Sequence, residues 1–279
     1  MSRTPRDAKD YSQEDEAIAR FREELKQRFP LPAPTPAKNK RATAKTLGLL
    51  LLAIAAGTAW VDPAYQSQHL VSQVGQRQAL QLADGSTVLL DSDSEITVSW
   101  HLRTRQVALQ RGQALFDVST RLYRPFLVDA GAAAVRVVGT RFNVNRYEDD
   151  VQVTVAEGKV AVRGGTDAVA LLEPGQQVRV RKGIPGQVMR VSVDDVSAWK
   201  DSRLVFESTP LAEVVDTLRR YHRQPITLMD QKLGRLPVSG VFDSDHVDRL
   251  LSLLPAILPV SVSTAADGAV LINSRDKKK

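Results

Sequence analysis

Between residues 46 and 61 the chain reads TLGLLLLAIAAGTAWV, sixteen positions without one charged side chain. At about 1.5 Å of rise per residue, a helix of that length falls a little short of a hydrocarbon core of roughly 30 Å. Extending it back through 42–45, with the Lys45 ammonium reaching the interface, closes most of the gap. The run is apolar around its whole circumference, whereas a buried helix of a water-soluble domain normally keeps a polar stripe. A cleaved signal peptide starts near residue 1, and here a long polar leader comes first. The expectation is one transmembrane helix over 46–61, hence a single-pass membrane protein.

The bases set its orientation. Lys38, Lys40, Arg41 and Lys45 crowd the N-terminal flank, while Asp62 follows the run and no Lys or Arg returns until Arg77. The positive-inside rule then leaves residues 1–45 in the cytoplasm and exports everything after about residue 62. Of the net charge of +6, residues 1–45 carry +4. The basic excess is thus mostly an orientation signal, and no nucleic-acid surface is inferred. The absence of cysteine removes disulfides, thiolate metal sites and Cys nucleophiles.

Ahead of the run, residues 13–29 read QEDEAIARFREELKQRF. Ser12 is placed to cap this helix, Glu14, Asp15 and Glu16 crowd its first turn, and Lys26 and Arg28 close its last, which suits the helix dipole. Ile18, Phe21, Leu25 and Phe29 recur at intervals of three, four and four and share one face. Nothing else in residues 1–45 can cover that face, so it is expected to bind another chain; a helix lying on the inner leaflet is the alternative. The proline-rich segment 30–41 reads as an extended linker.

Residues 62–75 read as a polar stem. From 76 to 182 short alternating runs broken by turn residues, among them a hairpin at Asp84-Gly85, indicate an all-β domain of sandwich, jelly-roll or solenoid type. A connector at 183–202 leads to a small α+β unit at 203–274, in the order βαββαββ. In that unit Thr209 and Pro210 open a first helix with Leu211, Val214, Val215, Leu218 and Tyr221 inward, and Asp243-Ser244 caps a second with Val247, Leu250, Leu251 and Leu254 inward. Residues 275–279 read as a disordered tail.

Several segments fix a resemblance. Arg111–Val118 (RGQALFDV), Arg124–Val128 (RPFLV), Val138–Val144 (VGTRFNV), Val155–Val160 (VAEGKV) and Leu172–Gln176 (LEPGQ) resemble, in order, the signature blocks of the FecR family of sigma-factor regulators. From Phe206 on, Thr209-Pro210-Leu211, Arg220-Tyr221 and Val238–Phe242 resemble that family's C-terminal subdomain, which is similar to the short N-terminal domain of secretins and TonB-dependent receptors.

The resemblance implies cell-surface signalling in a Gram-negative bacterium, with the chain in the bacterial inner (plasma) membrane and its C-terminal part in the periplasm. The signalling domain of a TonB-dependent outer-membrane receptor, typically one for ferric siderophores or citrate, contacts the C-terminal part of the regulator. Processing proteases then cut the chain, and its cytoplasmic fragment controls an extracytoplasmic-function (ECF) sigma factor. On this reading Ile18, Phe21, Leu25 and Phe29 are the sigma-binding residues. The family's cytoplasmic segment is commonly longer, with several helices and tryptophans, whereas Trp60, Trp100 and Trp199 all lie at or beyond the end of the apolar run. The alternative is a membrane-anchored envelope scaffold that binds a secretin or a polysaccharide and has no transcriptional output.

The residues carry no catalytic pattern. Asp91–Glu95 (DSDSE) echoes half a calcium loop but has Ile96 where the loop needs glycine, and reads as a solvated turn. His69, His101, His222 and His246 lack metal-ligand spacing. Gly164-Gly165-Thr166 has no phosphate-loop lysine. No enzyme activity, metal or cofactor is expected.

Overall fold

The computed structural model describes residues 11–30, 50, 52–53, 56–58, 60–165 and 168–275. The chain forms two compact units, Met1–Gly57 and Thr58–Lys279. The basic flank from Lys38 to Lys45, most of the proline-rich linker and the last four residues of the expected tail lie outside the described residues.

In the first unit the helix α1 spans Tyr11–Arg28. Ser12, expected just ahead of the helix, lies within these bounds. Exposed ion pairs, Lys26 to Glu23 at 3.1 Å and Arg28 to Glu24 at 3.9 Å, run along its side.

The expectation of a membrane-spanning helix over 46–61 is corrected. Among the described residues no helix is long and apolar enough to cross a membrane. Inside that run, helix is found at 50, 52–53, 56–58 and 60–61, and the other positions lie outside the described residues. Sixteen residues of helix reach only about 24 Å, less than the roughly 30 Å of hydrocarbon, so apolarity alone was a poor guide. The fold is that of a β-rich chain with an N-terminal helix.

The second unit begins with β1 (Gln66–Val71), β2 (Gln78–Gln81), β3 (Thr87–Leu90), β4 (Glu95–Trp100) and β5 (Arg105–Asp117). There follow β6 (Phe126–Asp129), β7 (Ala134–Val137), β8 (Arg141–Tyr147), β9 (Asp150–Glu157), β10 (Val160–Arg163), β11 (Val169–Leu172), β12 (Gln176–Arg181), β13 (Ile184–Pro185) and β14 (Met189–Arg190). The stem expected at 62–75 is corrected, because β1 pairs antiparallel with β4 from Gln66–Trp100 to Val71–Glu95. Its side chains are mostly exposed. Backbone hydrogen bonds to the β4 edge hold it, which no apolar alternation announces.

Strand β5 organises this domain by belonging to two layers. Its first half pairs with β4 and, in parallel, with β6; its second half, Gly112–Asp117, pairs with β8, and Thr87–Leu90 flanks it on the other side. One layer thus runs β11-β10-β7-β6-β5-β4-β1 and the other β2-β3-β5-β8-β9-β12. They fold over one core, and of the three β architectures open from sequence this is a sandwich. Phe116 joins the layers, stacked on Phe142 at 5.1 Å and edge-on to Phe126 at 5.9 Å, all three fully buried. Each contributes about 1.5–3 kcal/mol by burial.

The change of layer needs glycine. Gly112 sits at φ +84°, and a Cβ there would meet Ser94 Oγ at 2.2 Å and the Asp93 carbonyl at 2.7 Å. Just before it in β5, a register shift falls between Leu109, paired with Ile96, and Arg111, paired with Glu95.

The short helix α2 (Val193–Val196), capped by the Ser192 hydroxyl, and a 3₁₀ turn at Ala198–Asp201 lead into β15 (Arg203–Pro210) and α3 (Leu211–Arg219). Then come β16 (Ile226–Leu228), β17 (Pro237–Asp243), α4 (Val247–Ile257), β18 (Val260–Thr264) and β19 (Val270–Ser274). β15 pairs with β17, while β19 lies between β16 and β18. Thr209, expected as a helix cap, is instead paired with Val238 in the sheet, and Pro210 precedes α3 without a side-chain cap bond. The Leu211 N–H is met by the Leu236 carbonyl at 2.8 Å, so tertiary pairing supplies what a cap would. Asp243 caps a 3₁₀ turn at Ser244–His246 that runs into α4. Arg275, counted in the tail, donates its N–H to the Pro259 carbonyl at 3.1 Å.

Candidate functional site

Two features are candidates, one in each unit. In the first unit Ile18, Phe21, Leu25 and Phe29 are 59%, 67%, 48% and 72% exposed. The first three lie along α1 at helical spacing, and the Phe29 N–H bonds back to the Leu25 carbonyl at 2.9 Å, continuing the face past the helix end. The structure therefore brings these four side chains onto one open apolar stripe.

In the second unit the outer face of β5 and β8 packs against α3, and a buried polar lock ties the two domains. Leu115 and Leu89 of the sandwich join the apolar core built on α3 and α4. Beside them Arg220, 8% exposed, donates to Asn145 Oδ1 at 2.9 Å, to the Tyr147 hydroxyl at 3.0 Å and to Gln113 Oε1 at 3.3 Å. The guanidinium also lies over the Tyr147 ring at 4.8 Å. Burial by itself would lower its pKa, but Tyr147, Asp91 and Tyr221 raise it above the ordinary arginine value.

The next residue continues the lock. The Tyr221 hydroxyl donates to Asp91 Oδ2, and Asp91 Oδ1 faces Arg77 Nε at 3.5 Å. Arg77 in turn donates to the Ser202 and Ser244 hydroxyls and lies 3.5 Å from Asp245. Burial pushes the Asp91 carboxyl up against the opposing pull of Arg220, Tyr221, Ser92 and Arg77, and the net direction is upward. Burial also pushes the Tyr221 hydroxyl strongly up, with the Asp91 charge adding to it. Ser92 donates to the Arg220 carbonyl, and Trp199 Nε1 donates to Asn143 Oδ1 at 3.3 Å.

The segment Asp91–Ser94, expected as a solvated turn, is corrected: Asp91, Ser92 and Ser94 have no exposed surface. Its polarity serves the domain junction, because buried hydroxyls and a carboxylate are retained where each finds partners. Sequence reasoning also missed Arg105, fully buried at the start of β5 with its guanidinium on Asp84 at 2.5 Å, on the Ser119 carbonyl at 3.0 Å and on the Arg124 carbonyl at 3.0 Å. An arginine among alternating apolar residues was the available signal.

Residues 68–161 match the family model described as FecR protein, and residues 203–272 match that described as FecR, C-terminal. Two crystal structures of a candidate anti-sigma factor from Parabacteroides distasonis ATCC 8503 share the fold at 24% identity. One gives a TM-score of 0.68 over 75% of this chain and 99% of that one, and the other 0.67 over 74% and 98%. No curated protein matches the chain. The sandwich and the α+β domain locked to it by Arg220 and Tyr221 are accordingly the two modules of one family, and the chain belongs to the FecR family.

Proposed function

We propose that the chain is an anti-sigma regulator in which the stripe Ile18, Phe21, Leu25 and Phe29 binds an ECF sigma factor. The exposed stripe on α1 carries this reading. A helix of this length is marginal by itself in water, and its apolar face gains by being laid in a partner's groove. Burial at roughly 25 cal/mol per Å² gives several kcal/mol before ordering costs, enough for a complex that holds and can be released. The FecR family is regulatory, and the likeness to a candidate anti-sigma factor supports the same direction.

The finer reading supplies an input and a release. The C-terminal module, residues 203–272, receives the signalling domain of a TonB-dependent outer-membrane receptor. Proteolysis between α1 and the family modules then frees the sigma-bound segment. The division of α1 and the two modules between separate compact units supports a cut as the releasing step. A rigidly locked pair of modules offers few second packings through which a push could travel.

The test is a pull-down of the ECF sigma factor by the full chain carrying Phe21→Asp and Leu25→Asp. Binding is expected to fall at least about tenfold, since two charges would enter an apolar groove. Undiminished binding would take the contact away from α1.

A further inference from the structure

Three segments of the second unit converge at one end of the sandwich, and all of them end in exposed apolar side chains. Trp60 and Tyr65 lie ahead of β1, Leu102 in the β4–β5 turn, and Leu122 and Tyr123 in the β5–β6 connection. Their exposures run from 59% for Tyr65 to 97% for Tyr123, so each projects from the surface. The segments are clamped together. Asp62 accepts the Arg103 N–H and the Thr104 hydroxyl, both at 3.1 Å, and Arg103 donates to the Trp60 carbonyl at 3.3 Å. Arg124 donates to the Tyr65 hydroxyl at 2.9 Å and to the His101 carbonyl, and lies over the Tyr65 and Trp100 rings at 5.8 Å each.

Within these three segments the exposed charge is basic. Residues 60–65, 101–104 and 121–124 contain Arg103, Arg121 and Arg124 and a single acid, Asp62, which is 9% exposed and turned to its partners in the fold. Arg103 and Arg121 are exposed. Protein–protein interface cores are depleted in charge and closely packed, whereas these tips are separate, aromatic or leucine, and interleaved with arginine. Amphipathic aromatic rings and basic side chains together suit the boundary between headgroups and acyl chains.

The geometry points to docking of this end of the sandwich on the surface of a bilayer that carries anionic lipid. Leu102, Leu122, Tyr123 and Trp60 enter the headgroup boundary, and Arg103 and Arg121 pair with lipid phosphates. Such contact is peripheral and needs no helix to cross. It stands apart from the sigma-factor reading, and either can fail alone.

The chain has no cysteine, so Tyr123→Cys in the full chain accepts one nitrobenzoxadiazole label. With phosphatidylcholine vesicles containing about one third phosphatidylglycerol, the emission is expected to shift to the blue and rise several-fold, and to fall back as salt screens the surface. The same label at Arg223→Cys, on the α+β domain, is expected to stay unchanged. Adding Arg103→Glu and Arg121→Glu is expected to weaken the response about tenfold, with thermal unfolding confirming that the variant is folded. A label at 123 that remains water-like with these vesicles, or a shift indifferent to both charge reversals, would overturn the proposal.

Discussion

The Tyr221 hydroxyl donates to the Asp91 carboxylate across 130 positions of sequence, and that bond joins the sandwich to the α+β domain. Its neighbours do the same work in parallel. Arg220 reaches Gln113, Asn145 and Tyr147 of the sandwich, and Arg77 of the sandwich reaches Ser202 and Ser244 on the other side. Two modules recognised separately are thereby one mechanical body, and the adjacent pair Arg220-Tyr221 is its pin.

Removing the pin should therefore cost stability out of proportion to one side chain. Arg220→Met leaves Asn145 and Gln113 oxygens without their donor and Asp91 without one of its two cations, and is expected to destabilise the second unit by about 3–5 kcal/mol. Arg220→Lys should rescue little, because a compact ammonium cannot meet three acceptors spread around a planar fork. Urea unfolding of both variants checks this. Equal midpoints for Arg220→Met and the unmodified chain would show that the lock is not energetic.

The two glycines Gly112 and Gly175 separate backbone strain from collision. Both have positive φ, but a Cβ at 175 meets nothing nearer than the Val191 carbonyl at 3.9 Å, whereas at 112 it overlaps Ser94. Gly175→Ala should cost about 1–2 kcal/mol from the left-handed backbone alone. Gly112→Ala should cost clearly more, since Ser94 and the Asp93 carbonyl must also move. Thermal unfolding of the pair in one buffer gives the difference directly.

Acid should weaken the sandwich through Asp84. Burial raises its pKa, but the Arg105 and Ser86 hydrogen bonds and the Arg105 charge lower it further, so its folded value lies below the ordinary carboxylate value. A depressed carboxyl contributes stability that is present above its unfolded pKa of about 3.9 and is lost as pH falls through the folded value. Stability measured from neutral pH downward should thus drop below about pH 4, and Asp84→Asn should make that drop shallower while lowering stability at pH 7. Asp91, raised by burial, has the opposite sign and loses its contribution as pH rises through its folded value. A slope unaltered by Asp84→Asn would remove the pair from the acid response.

Local order was legible where one side of an element is buried and the other is wet. Leu211, Val214, Val215 and Leu218 announce α3 at helical spacing, and Ile96, Val98 and Trp100 announce β4 at alternate positions; all are buried. The residues Ile18, Phe21, Leu25 and Phe29 show helical spacing too, but in the structure all four are exposed. Thr209 misled because a Thr-Pro pair favours a helix start by local chemistry, while β17 offered it a strand partner. The run 46–61 misled because apolarity speaks of solvent preference and says little of length.

By itself, then, the sequence determined which segments carry an apolar face, their periods, and the motif residues of both modules, since these depend on neighbours within a few positions. Only the tertiary structure decided that Asp91, Ser92 and Ser94 are buried, that Arg105 stands on Asp84, and that β5 serves two layers. A polar side chain is tolerated inside only when distant residues meet its donors and acceptors, and spacing along a chain does not say which distant residues those are.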